Sequence, residues 1–196
     1  IPERADPGAR SHAVLFAGRH EPRKGLHVLL RAWPEIRRAT GATLRIAGAD
    51  PLAVRLLLSR VRVPADGIDV LGFLSQEELT REMSSAKALV APSLGGESFG
   101  MVLTRAFACA MPVVASDIVG YREVVTDETS LRVPPGDPRA LAAAVAALLS
   151  DEPRRVAMGE AARALAVERY AWADVAARLE EIYERVAGRA REPLAA

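Results

Sequence analysis

The sequence has little of several features that mark common protein classes. Its 196 residues include one cysteine, Cys109, so no internal disulfide can form, and no Cys and His pair shows metal-ligand spacing. No apolar run approaches the ~18–20 residues of a membrane span, and the charged start has no secretory segment. We therefore expect neither a disulfide-stapled secreted scaffold nor a structural zinc site, and we predict a reducing, cytoplasmic compartment.

Charge of one sign is also lacking. Lysine and arginine number 26 against 25 aspartates and glutamates, which gives a formal net charge of +1, and basic residues form only short clusters. We therefore do not expect the protein to bind nucleic acid through charge. Half of the residues are hydrophobic and 26% are charged, a balance typical of a folded globular chain rather than a disordered one.

The hydrophobic pattern predicts alternating strands and helices. Short apolar runs alternate with segments whose apolar residues recur every three or four positions. This order predicts a doubly wound, Rossmann-like parallel α/β sheet of about six strands with helices on both faces. The expected strands are 14–17, 43–47, 68–71, 88–91, 112–115 and 131–133, and the expected helices include 25–39, 52–61 and 99–110. We interpret 1–10 as a linker remnant, 11–190 as a single domain and 191–196 as a disordered tail.

Ligands of such sheets bind at the carboxyl ends of the strands, and the loop after the first strand is rich in cations. It runs from Gly18 to Gly25 and includes Arg19 and Lys24. Two cations beside a helix N-terminus can neutralise a diphosphate, although a solvated charged loop is the alternative. The glycine pattern of dinucleotide-binding folds and the phosphate loop of nucleotide triphosphatases are both absent.

The loop after the fourth strand is rich in glycine and leads into a helix near Gly100. Glycines allow backbone N–H groups to approach a ligand, and a helix start attracts phosphate. Glu97, just outside that start, could accept hydrogen bonds from sugar hydroxyls or could merely cap the helix. Cys109 is interpreted as a core residue, and His20 lacks a partner carboxylate for acid–base work.

Three motifs together resemble the donor-binding, C-terminal half of a GT-B glycosyltransferase of the large retaining family 4. They are Gly-Arg-x-x-x-x-Lys-Gly after the first strand, Pro-Ser…Gly-Glu-Ser-Phe-Gly before a helix, and Pro-Val-Val-Ala-Ser-Asp after it. The resemblance runs from Val14 to about Val186. Its wording around Glu97 is nearest to bacterial mannosyltransferases that build phosphatidylinositol mannosides and to related N-acetylglucosaminyltransferases.

The resemblance implies roles for individual residues. Arg19 and Lys24 would bind the donor diphosphate, and Glu97 would contact the transferred sugar; we take these three as the catalytic set. The loop containing Phe73 and Leu74 would hold the nucleotide base. The remaining implied donor-binding residues are Gly18, Ser98, Phe99, Gly100, Met101, Val102 and Arg105.

Arg105 departs from the family pattern. The family motif has a second Glu eight positions after the first, where it accepts both ribose hydroxyls, and this sequence has Arg105 there. An arginine has five donors and no acceptor. A ribose left without its acceptor costs roughly 1–3 kcal/mol unless a neighbour such as Thr104 compensates. Arg105 could instead mark a branch that contacts a phosphate or another nucleotide.

The sequence thus predicts a domain that binds a UDP- or GDP-sugar and transfers its sugar with retention to an acceptor on a missing N-terminal domain. Alone it would bind without transferring. No cofactor or metal is expected, because no Asp-x-Asp pair provides the metal–diphosphate clamp of the other major glycosyltransferase fold. The parent enzyme would lie at the inner membrane face if its acceptor is a lipid. A non-catalytic sugar-nucleotide sensor or interaction module and a sugar-nucleotide epimerase domain are the alternatives.

Overall fold

A six-stranded parallel sheet with helices on both faces forms the core of the computed structural model, which describes residues 10–189 with side chains through 187. The predicted fold class is confirmed. The strands are β1 Ser11–Ala17, β2 Thr43–Ala47, β3 Ile68–Gly72, β4 Ala86–Ala91, β5 Val113–Ser116 and β6 Ser130–Val133. The helices are α1 Leu26–Thr40, α2 Pro51–Val61, α3 Gln76–Ser85, α4 Met101–Ala108, α5 Val119–Arg122, α6 Pro138–Ser150, α7 Glu152–Tyr170 and α8 Trp172–Arg189.

Local capping signals fix where several helices begin. The Asp50 carboxylate accepts from the backbone N–H groups of Leu52 and Ala53 at the start of α2, and Asp137 plays the same part for α6. Ser75 and Glu78 form a capping box at the start of α3. Because these signals lie within a few residues of sequence, they are readable without tertiary information.

The strand order is β3-β2-β1-β4-β5-β6, so the chain builds outward from β1 on one side and then crosses to β4 on the other. β1 pairs in parallel with β2, Val14 opposite Leu44, and with β4, Leu15 opposite Leu89. The loops after β1 and β4 therefore leave the sheet in opposite directions. This is a topological switch point, where open α/β sheets bind ligands.

Alternate residues of each strand enter two separate hydrophobic cores. Val14 and Phe16 pack with α1, α2 and α6 on one face of the sheet. Leu15 packs with α3, α4, α5 and α7 on the other face. Burial of both faces explains why β1 is apolar at four consecutive positions, Ala13, Val14, Leu15 and Phe16.

Helix α4 is shorter than the sequence predicts. The expected helix over 99–110 begins at Met101 and ends at Ala108. Gly100 adopts a left-handed conformation, φ 84°, and Ala110 adopts φ 52°, so neither continues the helix. Cys109 is the C-cap residue rather than a helical one, and its thiol is buried as predicted. Burial raises the pKa of that thiol.

Arg10 belongs to the fold, although the predicted linker remnant includes it. Its side chain is buried and donates to four backbone carbonyls at the ends of α3 and α4 and the start of β4. These hydrogen bonds tie Arg10 to the helices and strand that it contacts. The rest of that linker, residues 1–9, and the predicted tail 191–196 lie outside the described residues.

The last helix, α8, presents an apolar face to the surroundings. Trp172 is 78% exposed, and the large side chains that follow it at helical spacing are also exposed: Val175, Leu179, Ile182, Tyr183 and Val186. Within residues 10–189, no helix combines the length and apolar character needed to cross a bilayer.

Candidate functional site

The loops after β1 and β4 lie against each other at the switch point. The backbone N–H of Leu94 donates to the Arg23 carbonyl at 2.7 Å. Gly25 has φ 69°, and a Cβ there would overlap the carbonyl oxygen of Pro92. A residue with a side chain would separate the two loops, so glycine is required at this close approach.

Glu97 lies between two cations of the facing loop. Nη1 of Arg23 lies 2.7 Å from Oε1 of Glu97, and Nζ of Lys24 lies 2.8 Å from the same oxygen. The Glu97 side chain is only 9% exposed and that of Lys24 19%, so both are screened from bulk water. A carboxylate and two cations therefore meet at the carboxyl edge of the sheet.

The two oxygens of Glu97 carry unequal loads. Oε1 accepts from Arg23 and Lys24 and also faces the Ser93 hydroxyl at 3.5 Å. Oε2 has one described donor, Nζ of Lys24 at 3.0 Å. An ionised carboxylate has about four acceptor positions. Oε2 therefore keeps capacity for a donor from outside the protein.

Helix α4 begins beside Glu97 without a side-chain cap. Gly100 is its N-cap residue and provides no side-chain hydrogen bond. Glu97 does not cap α4, because its carboxylate is engaged by Arg23 and Lys24, so the capping alternative is wrong. The N–H groups in the first turn of a helix have no intrahelical partner, and they form the positive end of the helix dipole, which attracts anions.

A buried hydroxyl pair lies behind Glu97. The Tyr121 hydroxyl and Ser93 Oγ are 2.8 Å apart, and both residues are about 1% exposed. Burial, together with the nearby Glu97 charge, raises the pKa of Tyr121 to about 12, and the Ser93 hydrogen bond only partly offsets that rise. Tyr121 is therefore a neutral phenol at physiological pH and can donate one hydrogen bond.

Helix α5 supports the Glu97 loop from below. A Cβ on Gly120 would overlap the backbone carbonyl oxygen of Glu97, and a Cβ on Gly100 would lie 2.8 Å from the Tyr121 ring. Tyr121 lies within this short helix, and its side chain is buried. Two glycines thus let α5 and the loop meet in backbone contact.

Arg19 lies apart from this cluster. Its side chain is 72% exposed and its Nε pairs with Glu21 at 2.9 Å, and Glu21 also binds Arg23. Gly18 is part-buried and donates its N–H to the Ala47 carbonyl at 2.9 Å. The predicted diphosphate pair is therefore divided, with Lys24 against Glu97 and Arg19 toward solvent.

The predicted base-binding loop follows β3. Phe73 is 75% exposed, whereas Leu74 is part-buried and packs on the core shared with α3 and α4. An exposed aromatic ring at the carboxyl end of β3 offers a flat apolar surface to a planar ligand. Phe73 and Leu74 remain predicted base-binding residues.

The predicted residues around the start of α4 differ in exposure. Ser98 and Met101 are exposed, and Val102 is part-buried against the core. The Phe99 ring makes an edge contact with Tyr170, with 5.6 Å between ring centroids. Their side chains are therefore anchored or turned outward, which leaves their backbone groups as the predicted contacts.

Arg105 lies in the second turn of α4 and is part-buried. No residue in the described part of the chain accepts a hydrogen bond from it, and its charge acts on the neighbouring Cys109 thiol. The place where the resembled family has a ribose-binding carboxylate thus carries an unpaired guanidinium.

Across residues 10–189, no three His, Cys, Asp or Glu side chains gather closely enough to hold a metal ion. The acidic residues of the site, Glu21 and Glu97, are each engaged by arginine or lysine.

Sequence reasoning did not single out Arg23 or Ser93. Arg23 has the same side chain as Arg19 and lies in the same loop, so residue type gave no way to choose between them. Ser93 carried no signal beyond its place in the Pro-Ser motif, because its importance depends on Tyr121, 28 residues away.

The fold and site place the chain among open α/β sheets whose ligand crevice lies at a topological switch point. Residues 11–151 match the Glycosyl transferases group 1 family. The chain therefore belongs to that family, which confirms the predicted resemblance. It is 42% identical over 177 residues to a phosphatidyl-myo-inositol mannosyltransferase of Mycobacterium leprae, a match that covers 89% of this chain and 46% of the relative.

Solved glycosyltransferase-like structures share the fold of this chain. A sucrose-phosphate synthase from Thermosynechococcus elongatus matches with a TM-score of 0.80 and 28% identity over 94% of this chain and 47% of that one. Anabaena HepE, solved with UDP and glucose, matches with a TM-score of 0.78 and 22% identity over 91% of this chain and 49% of that chain, a likeness of fold. The chain spans about half the length of the curated relatives it matches.

Proposed function

We propose that the chain is the donor-binding half of a retaining glycosyltransferase that holds a nucleotide-diphospho-sugar, with a UDP- or GDP-sugar as the donor. The observation that carries the proposal is the meeting of Glu97 with Lys24 and Arg23 at the switch point, beside the uncapped start of α4. Cations and helix N–H groups match a diphosphate, and a carboxylate oxygen with spare acceptor capacity matches a sugar hydroxyl.

In the proposed reaction the bond between the anomeric carbon and the diphosphate oxygen breaks, and the nucleoside diphosphate leaves with the electron pair. The anomeric carbon bonds to the oxygen of an acceptor hydroxyl on the same face, and the proton of that hydroxyl passes to the departing diphosphate oxygen. Lys24, with Arg19 once a donor is bound, would stabilise charge that develops on the leaving oxygens. In this proposal Lys24, Arg19 and the N–H groups of α4 neutralise the diphosphate, the part that a carboxylate-bound metal ion would otherwise play.

The acceptor would be held by an N-terminal domain that this chain does not contain. Two observations support this part of the proposal: the curated relatives are about twice as long, and α8 exposes an apolar face that a second domain could cover. A relative named phosphatidyl-myo-inositol mannosyltransferase makes a lipid acceptor at the inner face of the membrane the favoured case, with the enzyme cytoplasmic.

A non-catalytic sugar-nucleotide sensor is the second candidate, and Arg105 favours it. A guanidinium in place of the expected ribose acceptor would weaken donor binding or redirect it. An epimerase domain has no comparable observation in its favour.

Calorimetric titration with UDP, GDP, UDP-sugars and GDP-sugars tests the proposal. We expect saturable binding of one nucleotide class, and we expect Lys24→Ala to weaken it about 10- to 100-fold through loss of a charged hydrogen bond. Lys87→Ala is the matched control, because Lys87 is the chain's other lysine and lies at the start of β4, away from the switch point. Absence of binding to all of these ligands, or equal binding by Lys24→Ala, would overturn it.

A further inference from the structure

The hydroxyls behind Glu97 form a chain with only one consistent direction. Glu97 is an acceptor when ionised, so the Ser93 hydroxyl must donate across the 3.5 Å contact to Oε1. The Ser93 oxygen is then free to accept, and the Tyr121 hydroxyl, 2.8 Å away, is its donor. The order is therefore Tyr121 to Ser93 to Glu97.

These hydroxyl hydrogen bonds restrain the Glu97 carboxylate in a way that the two cations alone do not. Arg23 and Lys24 are flexible side chains that reach Glu97 from the facing loop, and a diphosphate would compete for them. Ser93, in the loop after β4, and Tyr121, in α5, are held in place by burial, and neither carries a charge that would draw it toward an incoming diphosphate. The hydroxyl chain can therefore hold Oε1 in place while the cations rearrange.

The support from α5 points the same way. Gly120 lies in backbone contact with Glu97, and the Tyr121 ring packs under Gly100. Helix α5 thus contacts the backbone of the Glu97 loop and also provides the hydroxyl that restrains the Glu97 carboxylate.

We infer that Tyr121 is a positioning residue that acts through Ser93 to hold Oε1 of Glu97, so that Oε2 is presented to a hydroxyl of the bound sugar. This inference rests on the proposed function. The long Ser93 contact shortens when donor binds, as is common for hydrogen bonds of ligand-free sites.

The test compares each ligand with its sugar-free form. Titration of wild type, Tyr121→Phe and Ser93→Ala uses GDP with GDP-mannose and UDP with UDP-glucose. Tyr121→Phe removes one oxygen and keeps the ring under Gly100. We expect affinity for the free diphosphate to stay within twofold, while the extra affinity given by the sugar falls about 3- to 10-fold. The double variant should lose no more than either single variant, because both interrupt one chain.

Tyr183→Phe is the control, since it removes the same atom from an exposed tyrosine of α8. A merely structural role would weaken diphosphate and sugar nucleotide equally, and that result overturns the inference, as does an unchanged sugar contribution in Tyr121→Phe. If the wild-type chain binds no sugar nucleotide, the proposed function fails and takes this inference with it. If it binds and the variants behave as wild type, this inference alone fails.

Discussion

At the scale of single residues, the site depends on charge pairs within reach of one carboxylate. Glu97 has three donors on one oxygen and one on the other. The sequence indicated Glu97 and Lys24 because their motifs are local. It could not choose Arg23 over Arg19 as the partner of Glu97, since that choice depends on how the β1 loop lies against Pro92 and Leu94.

The raised pKa of Tyr121 predicts how the unfolding free energy changes at alkaline pH. Its pKa in the folded chain is raised to about 12 from an ordinary value of 10.0. Because the folded chain favours the neutral phenol, this burial stabilises the fold in full below pH 10, the ordinary pKa. The contribution is lost as the pH rises from there through 12, the pKa in the folded chain. The unfolding free energy of the wild type should therefore fall by about 2–3 kcal/mol more than that of Tyr121→Phe between pH 9 and 12.

Urea unfolding at each pH measures this difference, and phenolate absorbance near 295 nm reports the ionisation itself. Parallel pH curves for the wild type and Tyr121→Phe would show that the Tyr121 hydroxyl is not buried as described.

At the scale of elements, local capping residues mark where α2, α3 and α6 begin, whereas the start of α4 depends on a tertiary contact. Asp50, Ser75 and Asp137 each bond to N–H groups two or three residues on, so the start signal is written in adjacent sequence. Helix α4 starts two residues later than predicted because Gly100 is left-handed over the Tyr121 ring. That contact joins the N-cap of α4 to helix α5, which lies about twenty residues further along the chain, and hydrophobic periodicity does not record it.

Gly120 tests whether α5 supports the Glu97 loop. It has no left-handed φ, so alanine there would ordinarily favour the helix by roughly 0.5–1 kcal/mol. The overlap of the new Cβ with the Glu97 carbonyl reverses that sign, and we expect Gly120→Ala to destabilise the fold by about 1–3 kcal/mol and to weaken sugar-nucleotide binding.

Thermal unfolding and calorimetry measure the two effects of Gly120→Ala. Gly41→Ala is the control: Gly41 is left-handed, and a Cβ there meets nothing within 4 Å. It should cost about 1–2 kcal/mol of stability and leave binding unchanged. Wild-type binding by Gly120→Ala would contradict a supporting role for α5.

At the scale of the whole molecule, the sheet could be predicted from the sequence because its six strands alternate with helices and are buried on both faces, which leaves continuous apolar runs. The contacts of Arg10 could not be predicted from the sequence. A lone arginine in a polar stretch gives no sign that its guanidinium will join α3, β4 and α4.

We predict that Arg10→Ala costs about 2–4 kcal/mol of unfolding free energy, because four buried carbonyls lose their donor. Arg10→Lys should restore less than half of this loss, since one ammonium cannot reproduce the fork of two nitrogens that bridges these carbonyls. Urea unfolding measures both, with Arg55→Ala on the exposed face of α2 as a control expected within about 0.5 kcal/mol of the wild type. Full rescue by lysine would contradict the bridging role.

The central claim is that Glu97, Lys24 and Arg23 form one donor site in which the carboxylate serves the sugar and the cations serve the diphosphate. Calorimetric titration of Glu97→Gln tests it most directly, because the claim predicts effects of opposite sign. Removal of the internal anion frees both cations, so affinity for the free nucleoside diphosphate should rise about 3- to 10-fold, while the additional affinity given by the sugar should be lost.

Glu180→Gln on α8 removes the same unit of charge from an exposed glutamate and should change neither affinity. Glu97→Gln with tighter diphosphate binding and no sugar contribution is the result this account predicts. Equal weakening of both ligands, or no change in either, would contradict it.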